Sequence, residues 1–458
     1  MEKTVLQFSD YIANLVNSMK DKRSKKNTQS LISKIFSHQS IQLWRLSADS
    51  KEYERYHNLI NGKMVNTLNL ELLNSNLLIN SIQCLQGQLR VIVIHDESEI
   101  RKPESSKLEN LGWVQSLEGK MIRGYKTFNS IMIDNQDKTI KLLCSTPYSN
   151  QDPQFLSKKE FDKYEKGKLN DQAREKEIDQ LLEKQDYYHS KTICLEQIEK
   201  IHNQIKAINP DIIIIHILDR GFDCVEVFEF IESLGDKFVI RFKSNRNANE
   251  KIINDKGKEV FLKLASKTFE NIEKVNYSKV CFRDKTYKNA TGVFEWDTTK
   301  IKNELYNVQK VRFVDEKNRK IFASPMLLIS NYQLSDLEMV QYVYQLYMQR
   351  TKIEGTFKFL KDILGWEEFR IHDYESIKNL IVLAFFVGGY FYEIEHELTK
   401  DYTVQWICKL GNGKGKVTKY YFMEGLRILI QMALFDKFCK ENNISPEDIE
   451  LAYKKFAP

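Results

Sequence analysis

Two acidic residues stand directly after short apolar segments that have the composition of buried β-strands. Residues 89–94 and 211–218 are rich in valine and isoleucine, which is typical of strands covered on both faces, and Asp96 and Asp219 follow them. Open α/β sheets bind ligands outside the carboxyl ends of their strands, so the two carboxylates are candidates for one shared site. Taken alone, each acid could also be a loop residue or a helix cap.

A predicted helix supplies a third acid together with an aromatic and two cationic side chains. The residues of interest on this helix are Tyr347, Arg350, Glu354 and Lys361. At about 100° per residue they fall within an arc of roughly 60° on one helix face. A carboxylate flanked by cations suits a metal-bound phosphodiester, because the acid holds the metal ion while the cations hold phosphate oxygens. A solvent-exposed helix can also gather such residues by chance.

The spacing of these residues resembles that of the insertion-sequence-four family of DDE transposases, which are bacterial cut-and-paste enzymes. The helix matches the Y-(2)-R-(3)-E-(6)-K motif of that family at every motif position. The first acid of the family lies in a D-x-[ST] sequence, here residues 96–98, and the second begins a D-x-G-[FY] sequence, here residues 219–222. The resemblance covers about residues 89–395.

This resemblance implies both a fold and a reaction. The expected fold is α/β, an RNase H-like catalytic domain interrupted by a β-strand insertion, with helical N- and C-terminal regions. Asp96, Asp219 and Glu354 are the implied catalytic residues and metal ligands, which hold two Mg²⁺ ions roughly 4 Å apart, and Mn²⁺ can substitute. The implied reaction is excision and integration of an insertion sequence by phosphodiester hydrolysis and strand transfer, through a hairpin intermediate.

By the same resemblance, Tyr347, Arg350 and Lys361 bind the DNA backbone near the cleaved end. The expected partners are double-stranded DNA, both as terminal inverted repeats and as target, and a second copy of the chain in a homodimer on DNA. The expected location is the bacterial cytoplasm, in association with the nucleoid and without a membrane partner.

The elements that must position these residues divide the sequence into regions. Residues 1–88 show helical spacing of apolar residues and are predicted to form a helical DNA-binding region. Residues 89–242 and 325–365 alternate strands and helices, as expected of an α/β catalytic domain. Residues 243–324 are lysine-rich and strand-like, which predicts the β insertion, and residues 366–458 are predicted to be helical.

Charge and cysteine content limit the possible classes of protein. The 69 basic and 63 acidic residues give a net charge of +6, which permits nucleic-acid binding without requiring it. The seven cysteines form no C-x-x-C pair and no short cluster with histidine, so neither a zinc module nor a disulfide framework is expected. No secretory signal is expected, and the longest apolar run, residues 380–392, is too short to cross a bilayer and predicts a buried helix.

Some residues beside the predicted strand ends allow two interpretations. Glu97 or Glu99 could replace Asp96 in the site, although strand geometry and the D-x-S sequence favour Asp96. His95 and His216 are expected to be packed or hydrogen-bonded rather than metal ligands, because Mg²⁺ prefers oxygen.

Two other features stay open at the level of sequence. Trp296 could hold a flipped base or could be a core residue of the insertion. The basic cluster between Lys20 and Lys26 could contribute to recognition of the element ends or could be a solvated linker.

Two other functions are compatible with the sequence. One is a two-metal nuclease that cleaves DNA without strand transfer, and the other is a domesticated protein that binds DNA without cleaving it.

Overall fold

The computed structural model of the chain describes residues 2–62, 67–134, 138–169, 171–253, 258–282, 285–301, 304–394, 402–411 and 416–456. The chain divides into two compact units. The helical unit comprises Met1–Leu77, Ser105–Glu109 and Lys358–Pro458, and the sheet unit comprises Leu78–Glu104 and Asn110–Phe357.

Helices and strands alternate unevenly along the sequence. The helices are α1 (Glu2–Ser18), α2 (Lys22–His38), α3 (Leu43–Leu46), α4 (Ser50–Ile60), α5 (Leu70–Ile82), α6 (Lys158–Glu165), α7 (Gln172–Lys184), α8 (Ser190–Ile208), α9 (Val225–Ser233), α10 (Leu337–Met348), α11 (Thr351–Leu364), α12 (Tyr374–Ile394), α13 (Tyr402–Leu410), α14 (Lys419–Glu441) and α15 (Pro446–Phe456). The strands are β1 (Arg90–Arg101), β2 (Gly112–Gln115), β3 (Met121–Ile133), β4 (Ile140–Tyr148), β5 (Ile213–Leu218), β6 (Lys237–Arg241), β7 (Asn247–Ile253), β8 (Glu259–Lys263), β9 (Asn271–Phe282), β10 (Lys285–Ile301), β11 (Glu304–Val314) and β12 (Met326–Ser330).

The sheet unit is built on a ten-stranded sheet in the order β2-β3-β1-β5-β6-β12-β11-β10-β9, with β4 paired to β3. β1, β5 and β6 are parallel to one another, whereas β3 and β12 flank them in the antiparallel sense. Parallel strands need a crossover connection, and α9 supplies the one between β5 and β6. This mixed sheet with its helices confirms the predicted α/β fold class.

Apolar side chains of the central strands pack against α8. Val91 and Val93 of β1 and Ile214 of β5 share a buried cluster with Ile201 and Ile205 of α8. Ile201 and Ile205 are four residues apart and therefore lie on the same face of α8. Burial of these β-branched side chains fixes β1 and β5 beside each other, which determines where their acidic residues lie.

Residues 243–324, which the sequence predicts as a β insertion, contain β7 to β11. β9, β10 and β11 extend the main sheet through β12, while β7 and β8 form a separate two-stranded sheet. The structure therefore places most of this segment in the same sheet as β1 and β5, within one compact unit.

The helical unit joins segments that the sequence analysis treats as separate terminal regions. The Asn379 side chain of α12 donates a hydrogen bond to the Ile60 carbonyl at 2.7 Å, and the Tyr11 hydroxyl donates to the Phe386 carbonyl at 2.8 Å. Gly389 leaves room for Tyr11, because a Cβ atom there would lie 2.5 Å from the phenol oxygen. N-terminal and C-terminal helices thus share one core.

Helix α12 confirms the buried helix predicted over residues 380–392. The helix extends beyond that apolar run and is long enough and apolar enough to cross a membrane, so the expectation that it is too short is wrong, but 89% of its apolar window is buried inside the protein. Such burial is typical of the core helix of a globular unit.

Candidate active site

The first two acids lie side by side on neighbouring parallel strands. β1 and β5 pair in a register that sets His95 opposite Leu218, so Asp96 and Asp219 are the next residues on their respective segments. β5 ends at Leu218, whereas β1 continues to Arg101. Asp96 is therefore inside its strand rather than beyond the end, which corrects the sequence prediction.

The antiparallel partner β3 explains why β1 is longer than predicted. β3 pairs with β1 from Ile92 to Arg101 and so maintains the extended conformation past the end of β5. The expected crevice is retained, because Asp96 is the first residue of β1 without a partner on β5.

The third acid follows a break between two helices. α10 ends at Met348 and α11 begins at Thr351. In the turn between them, the Arg350 amide donates to the Tyr347 carbonyl at 2.9 Å, and the Ile353 amide donates to the Arg350 carbonyl at 3.1 Å. Hydrogen bonds across three residues are typical of a 3₁₀ turn, which is tighter than an α-helix. The prediction of one continuous helix through these residues is therefore wrong, and Arg350 lies in the turn.

The Arg350 guanidinium lies among the three acids. Its Nη2 atom donates to Asp96 Oδ2 at 2.8 Å and lies 3.7 Å from Asp219 Oδ2. Its Nη1 atom donates to Glu354 Oε1 at 2.6 Å. The Tyr347 hydroxyl donates to Asp219 Oδ1 at 2.9 Å. The sheet unit thus brings together every predicted site residue except Lys361.

Burial controls the protonation of Asp96. Its side chain is 13% exposed, whereas that of Glu354 is 57% exposed. Burial, with repulsion from Asp219 and Glu354, raises the pKa of Asp96 to about 7, although the Arg350 guanidinium acts in the opposite direction. The Arg350 guanidinium alone therefore does not keep this carboxyl fully ionised near neutral pH, and a further cation beside Asp96 would lower its pKa.

The Tyr347 phenol and the Arg350 guanidinium, which contact the acids, both keep their protons. Burial and the neighbouring Asp219 carboxylate raise the pKa of Tyr347 well above its usual value, so the phenol remains a hydrogen-bond donor. Burial alone lowers the pKa of Arg350, but the carboxylates of Asp96 and Asp219 raise it overall. The guanidinium therefore stays positively charged.

The three carboxylates are chemically suited to a divalent metal ion, but Arg350 lies between them. Three carboxylates supply only oxygen ligands, as Mg²⁺ and Mn²⁺ prefer, and so fit such ions chemically. Within the described part of the chain, however, no group of three or more His, Cys, Asp or Glu side chains is arranged to hold a metal ion. The guanidinium of Arg350 lies between the three carboxylates, which would have to come closer together to bind the same metal ions.

Neighbouring acids on β1 make other contacts. Glu97 accepts hydrogen bonds from the Tyr148 hydroxyl and, at 3.3 Å, from Lys126 Nζ. Glu99 lies 3.7 Å from Arg101. Successive strand residues point to opposite faces, so Asp96 and Glu97 cannot face Arg350 together. This geometry favours Asp96 as the site residue of β1.

Both histidines are buried in a polar network beneath the acids. His95 Nδ1 is hydrogen-bonded to Ser130 Oγ at 2.6 Å, and His95 Nε2 to His216 Nδ1 at 2.9 Å. His216 Nε2 is in turn hydrogen-bonded to Asp236 Oδ2 at 3.0 Å. Burial, followed by the effect of His216, lowers the pKa of His95 well below its usual value. The expectation of hydrogen-bonded rather than ligand histidines agrees with these contacts.

Lys361 lies in the last turn of α11, in the helical unit. Its Nζ atom forms an ion pair with Glu367 Oε1 at 2.9 Å. Trp296 is on β10 and is 6% exposed, so its indole is a core group in this structure, as one of its two sequence interpretations predicts.

Three basic residues that the sequence analysis did not single out as site residues line a groove of about 920 Å³ together with Asp96 and Asp219. They are Arg220, Arg241 and Lys243. None of them forms an ion pair with another residue in the described part of the chain. Arg241 ends β6, which is parallel to β5, so the rule that located the aspartates at strand ends would also have located this arginine.

Part of the chain is similar to a known protein family. Residues 189–387 match a family model described as a transposase DDE domain. No curated protein matches the chain significantly. The matched segment contains Asp219, Tyr347, Arg350 and Glu354, but begins after Asp96. This match supports a DDE transposase.

Proposed function

We propose that this protein is a DNA transposase of the insertion-sequence-four group, which excises and integrates an insertion sequence. One arrangement supports the proposal above all others: Asp96 and Asp219 on adjacent parallel segments and Glu354 at the start of α11 surround the same guanidinium. The proposed catalytic fold is RNase H-like, with residues 243–324 as its inserted β region. The parallel order of β1, β5 and β6 within a mixed sheet agrees with this assignment.

Asp96, Asp219 and Glu354 are the proposed ligands of two Mg²⁺ or Mn²⁺ ions. When bound, such ions lower the pKa of an attacking water or 3′-hydroxyl and stabilise the leaving oxygen. The pairing of β1 with β5 holds the aspartates at a fixed spacing. Glu354 is half-exposed on α11 and is therefore the acid with most freedom to adjust its position.

Basic residues in the groove are proposed to hold the DNA backbone. Arg220, Arg241 and Lys243 face the same space as Asp96 and have no described ion-pair partner, so their charge is available to phosphate oxygens. Arg350, once released from the acids, presents a planar pair of donors to a phosphate. Tyr347 and Lys361 are proposed DNA contacts on the grounds of their motif positions.

The helical unit is proposed to contribute to recognition of the element ends and to dimer formation. Asp21 caps α2 by accepting a hydrogen bond from the Ser24 amide, and basic residues of the Lys20–Lys26 cluster are exposed around this helix start. Met432, Phe435 and Phe438 of α14 are 51–58% exposed, an apolar surface suited to a second copy of the chain. The proposed location of the DNA-bound dimer is the bacterial nucleoid.

A hairpin route is proposed for second-strand cleavage, in which the freed 3′-hydroxyl attacks the opposite strand. The main alternative is a two-metal nuclease without strand transfer, since hydrolysis requires the same three acids.

An excision assay tests the function directly. A plasmid carrying the gene between its own flanking DNA segments is introduced into a bacterial host, and excised and reintegrated segments are sequenced. We expect excision bounded by inverted repeats and short target duplications at new sites. Random nicking without reintegration would favour the nuclease, and DNA binding without any cleavage would favour the domesticated protein. Asp219→Asn is the matched inactive control.

A further inference from the structure

A pair of helices inserted between β4 and α8 has no role in the chemistry described above. α6 and α7 lie in the sheet unit, and both ends of their segment are tied together. Phe155 and Tyr188 form an isolated parallel bridge, and the Leu156 amide donates to the Tyr188 carbonyl at 2.9 Å. The Tyr188 hydroxyl donates to Asp152 at 2.8 Å. The two ends of the segment that carries α6 and α7 are therefore held together.

One side of this pair is strongly basic. The lysine face comprises Lys158, Lys159, Lys163, Lys166 and Lys168, all of them exposed. Lys159 and Lys163 are four residues apart and lie on the same side of α6. In the described part of the chain, none of these five ammonium groups forms an ion pair. Their charge is therefore directed to solvent.

Three acids of the two helices, Glu160, Glu177 and Asp179, are engaged by other groups. Arg174 binds Glu160 at 3.0 Å and Glu177 at 3.1 Å. The Tyr164 hydroxyl donates to Asp179 at 2.5 Å. Asp162 lines the same groove as the five lysines, and Glu165 is the last residue of α6. Five lysines against these two acids leave the lysine face with a net positive charge.

The lysine face is connected to the groove of the acids through shared lining residues. The five lysines of the lysine face line one groove, and Lys158 also lines a second groove that contains Lys243. Lys243 lines the groove of Asp96 and Asp219 as well. On another side, Lys159 and Lys163 line a groove that includes Lys126, which contacts Glu97 beside Asp96. Basic residues thus follow one another from the acids to α6.

We propose that the lysine face binds the phosphate backbone of duplex DNA that extends out of the catalytic groove, independently of base sequence. This inference rests on the proposed function for the choice of DNA as the polyanion. Exposed ammonium groups on a fixed helix suit the regular phosphates of a duplex, because each contact requires a point charge and no base-specific donor. The face supplies affinity for any flanking or target sequence, and base recognition is left to other parts of the chain.

Salt-dependent binding of the full-length protein provides the test. A fluorescein-labelled duplex of random sequence is titrated with protein in EDTA, so that cleavage does not contribute, at several NaCl concentrations. The variant Lys159→Gln/Lys163→Gln removes two charges from the lysine face. Lys176→Gln/Lys184→Gln removes two charges from exposed positions on α7, which lie outside the grooves, and is the matched control.

We expect the α6 variant to lower the slope of log affinity against log salt by roughly 2, since each lost phosphate contact contributes about 0.9. The control should retain the wild-type slope. An equal change of slope in both variants would show a general effect of net charge. It would overturn the proposal that the lysine face binds DNA, while leaving the proposed function intact. Failure of the wild-type protein to bind duplex DNA at any salt concentration would instead overturn the proposed function and this inference together.

Discussion

Arg350 and Asp96 form a direct ion pair of 2.8 Å although they are 254 residues apart in the sequence. The guanidinium occupies a position among carboxylates that divalent cations need for coordination, and it also contacts Glu354. Arg350 thus stabilises the three acidic residues of the site when no metal ion is bound. A cation that enters the site must displace these contacts, so metal binding and Arg350 are expected to compete.

Replacement of Arg350 by glutamine should therefore strengthen metal binding in the absence of DNA. We expect Mn²⁺ affinity, measured by electron paramagnetic resonance at pH 8.5, to rise roughly tenfold, which corresponds to about 1.4 kcal/mol for the lost competing ion pair. DNA cleavage by the same variant should fall, because the phosphate contact is lost as well.

Lys352→Gln is the control for Arg350→Gln, since it removes one positive charge two residues away without altering a described contact to the acids. Its Mn²⁺ affinity should match that of the wild-type protein. Equal affinities in all three proteins would contradict the competition between Arg350 and the metal ion.

Substitution of each acid tests the assignment of the three ligands. Asp96→Asn, Asp219→Asn and Glu354→Gln should each reduce Mg²⁺-dependent cleavage by roughly three orders of magnitude or more, because each removes a metal ligand from an intact fold. DNA binding in EDTA should be retained. Gel assays on end-labelled DNA measure both properties.

Glu97→Gln distinguishes Asp96 from its neighbour. Glu97 contacts Tyr148 and Lys126 rather than Arg350, so this variant should keep nearly wild-type cleavage. If Glu97→Gln is inactive and Asp96→Asn cleaves normally, the ligand on β1 is Glu97 and the proposed site is wrong at this position.

Local patterns in the sequence predicted the strands that carry the acids. Residues 211–218 and 238–242 are short apolar runs, and the structure has β5 and β6 there within two residues at each end. A strand buried on both faces has few polar residues, so its composition alone is informative. The length of β1 was not predictable in this way, because its second half is polar and is maintained by pairing with β3.

Long-range contacts account for what the sequence could not predict. The spacing of Tyr347, Arg350 and Glu354 suggested one helix face, but it revealed neither the tight turn at Arg350 nor the contacts that this residue makes with Asp96 and Asp219. Similarly, Asn379 joins α12 to Ile60 in one unit, which no local pattern reveals. The residue types of the site were thus visible in the sequence, whereas the contacts between these residues were not.

The buried Asp96 carboxyl should make stability depend on pH. Its pKa in the folded protein, about 7, is above the ordinary value of 3.8, so the folded state binds the proton more tightly than the unfolded state. The resulting contribution to stability is complete below pH 4 and is lost as pH rises through 7. Between pH 5 and pH 8 the free energy of unfolding in EDTA should fall by about 3 kcal/mol from this group, at 1.36 kcal/mol per pKa unit.

Asp96→Asn removes this titration and is the comparison for the pH dependence. Urea unfolding of the sheet unit, followed by the near-ultraviolet circular dichroism of the full-length protein, should show that the variant is more stable than the wild-type protein at pH 8 and closer to it at pH 5. An identical pH dependence in both proteins would show that Asp96 keeps an ordinary pKa in the folded state.

Lys361 provides the last prediction, which concerns the hairpin route. Formation of a closed end requires the DNA strand to bend sharply so that the 3′-hydroxyl reaches the opposite strand, and cations on the backbone lower the repulsion between phosphates in the bend. Lys361→Gln should therefore reduce closed-end DNA more than first-strand nicking when end-labelled DNA is incubated with protein and Mg²⁺. Lys358→Gln, on the same helix and exposed, is the matched control and should leave both products unchanged. Double-strand breaks without a closed-end species at any time on denaturing gels would exclude the hairpin route, while the three-acid site could still stand.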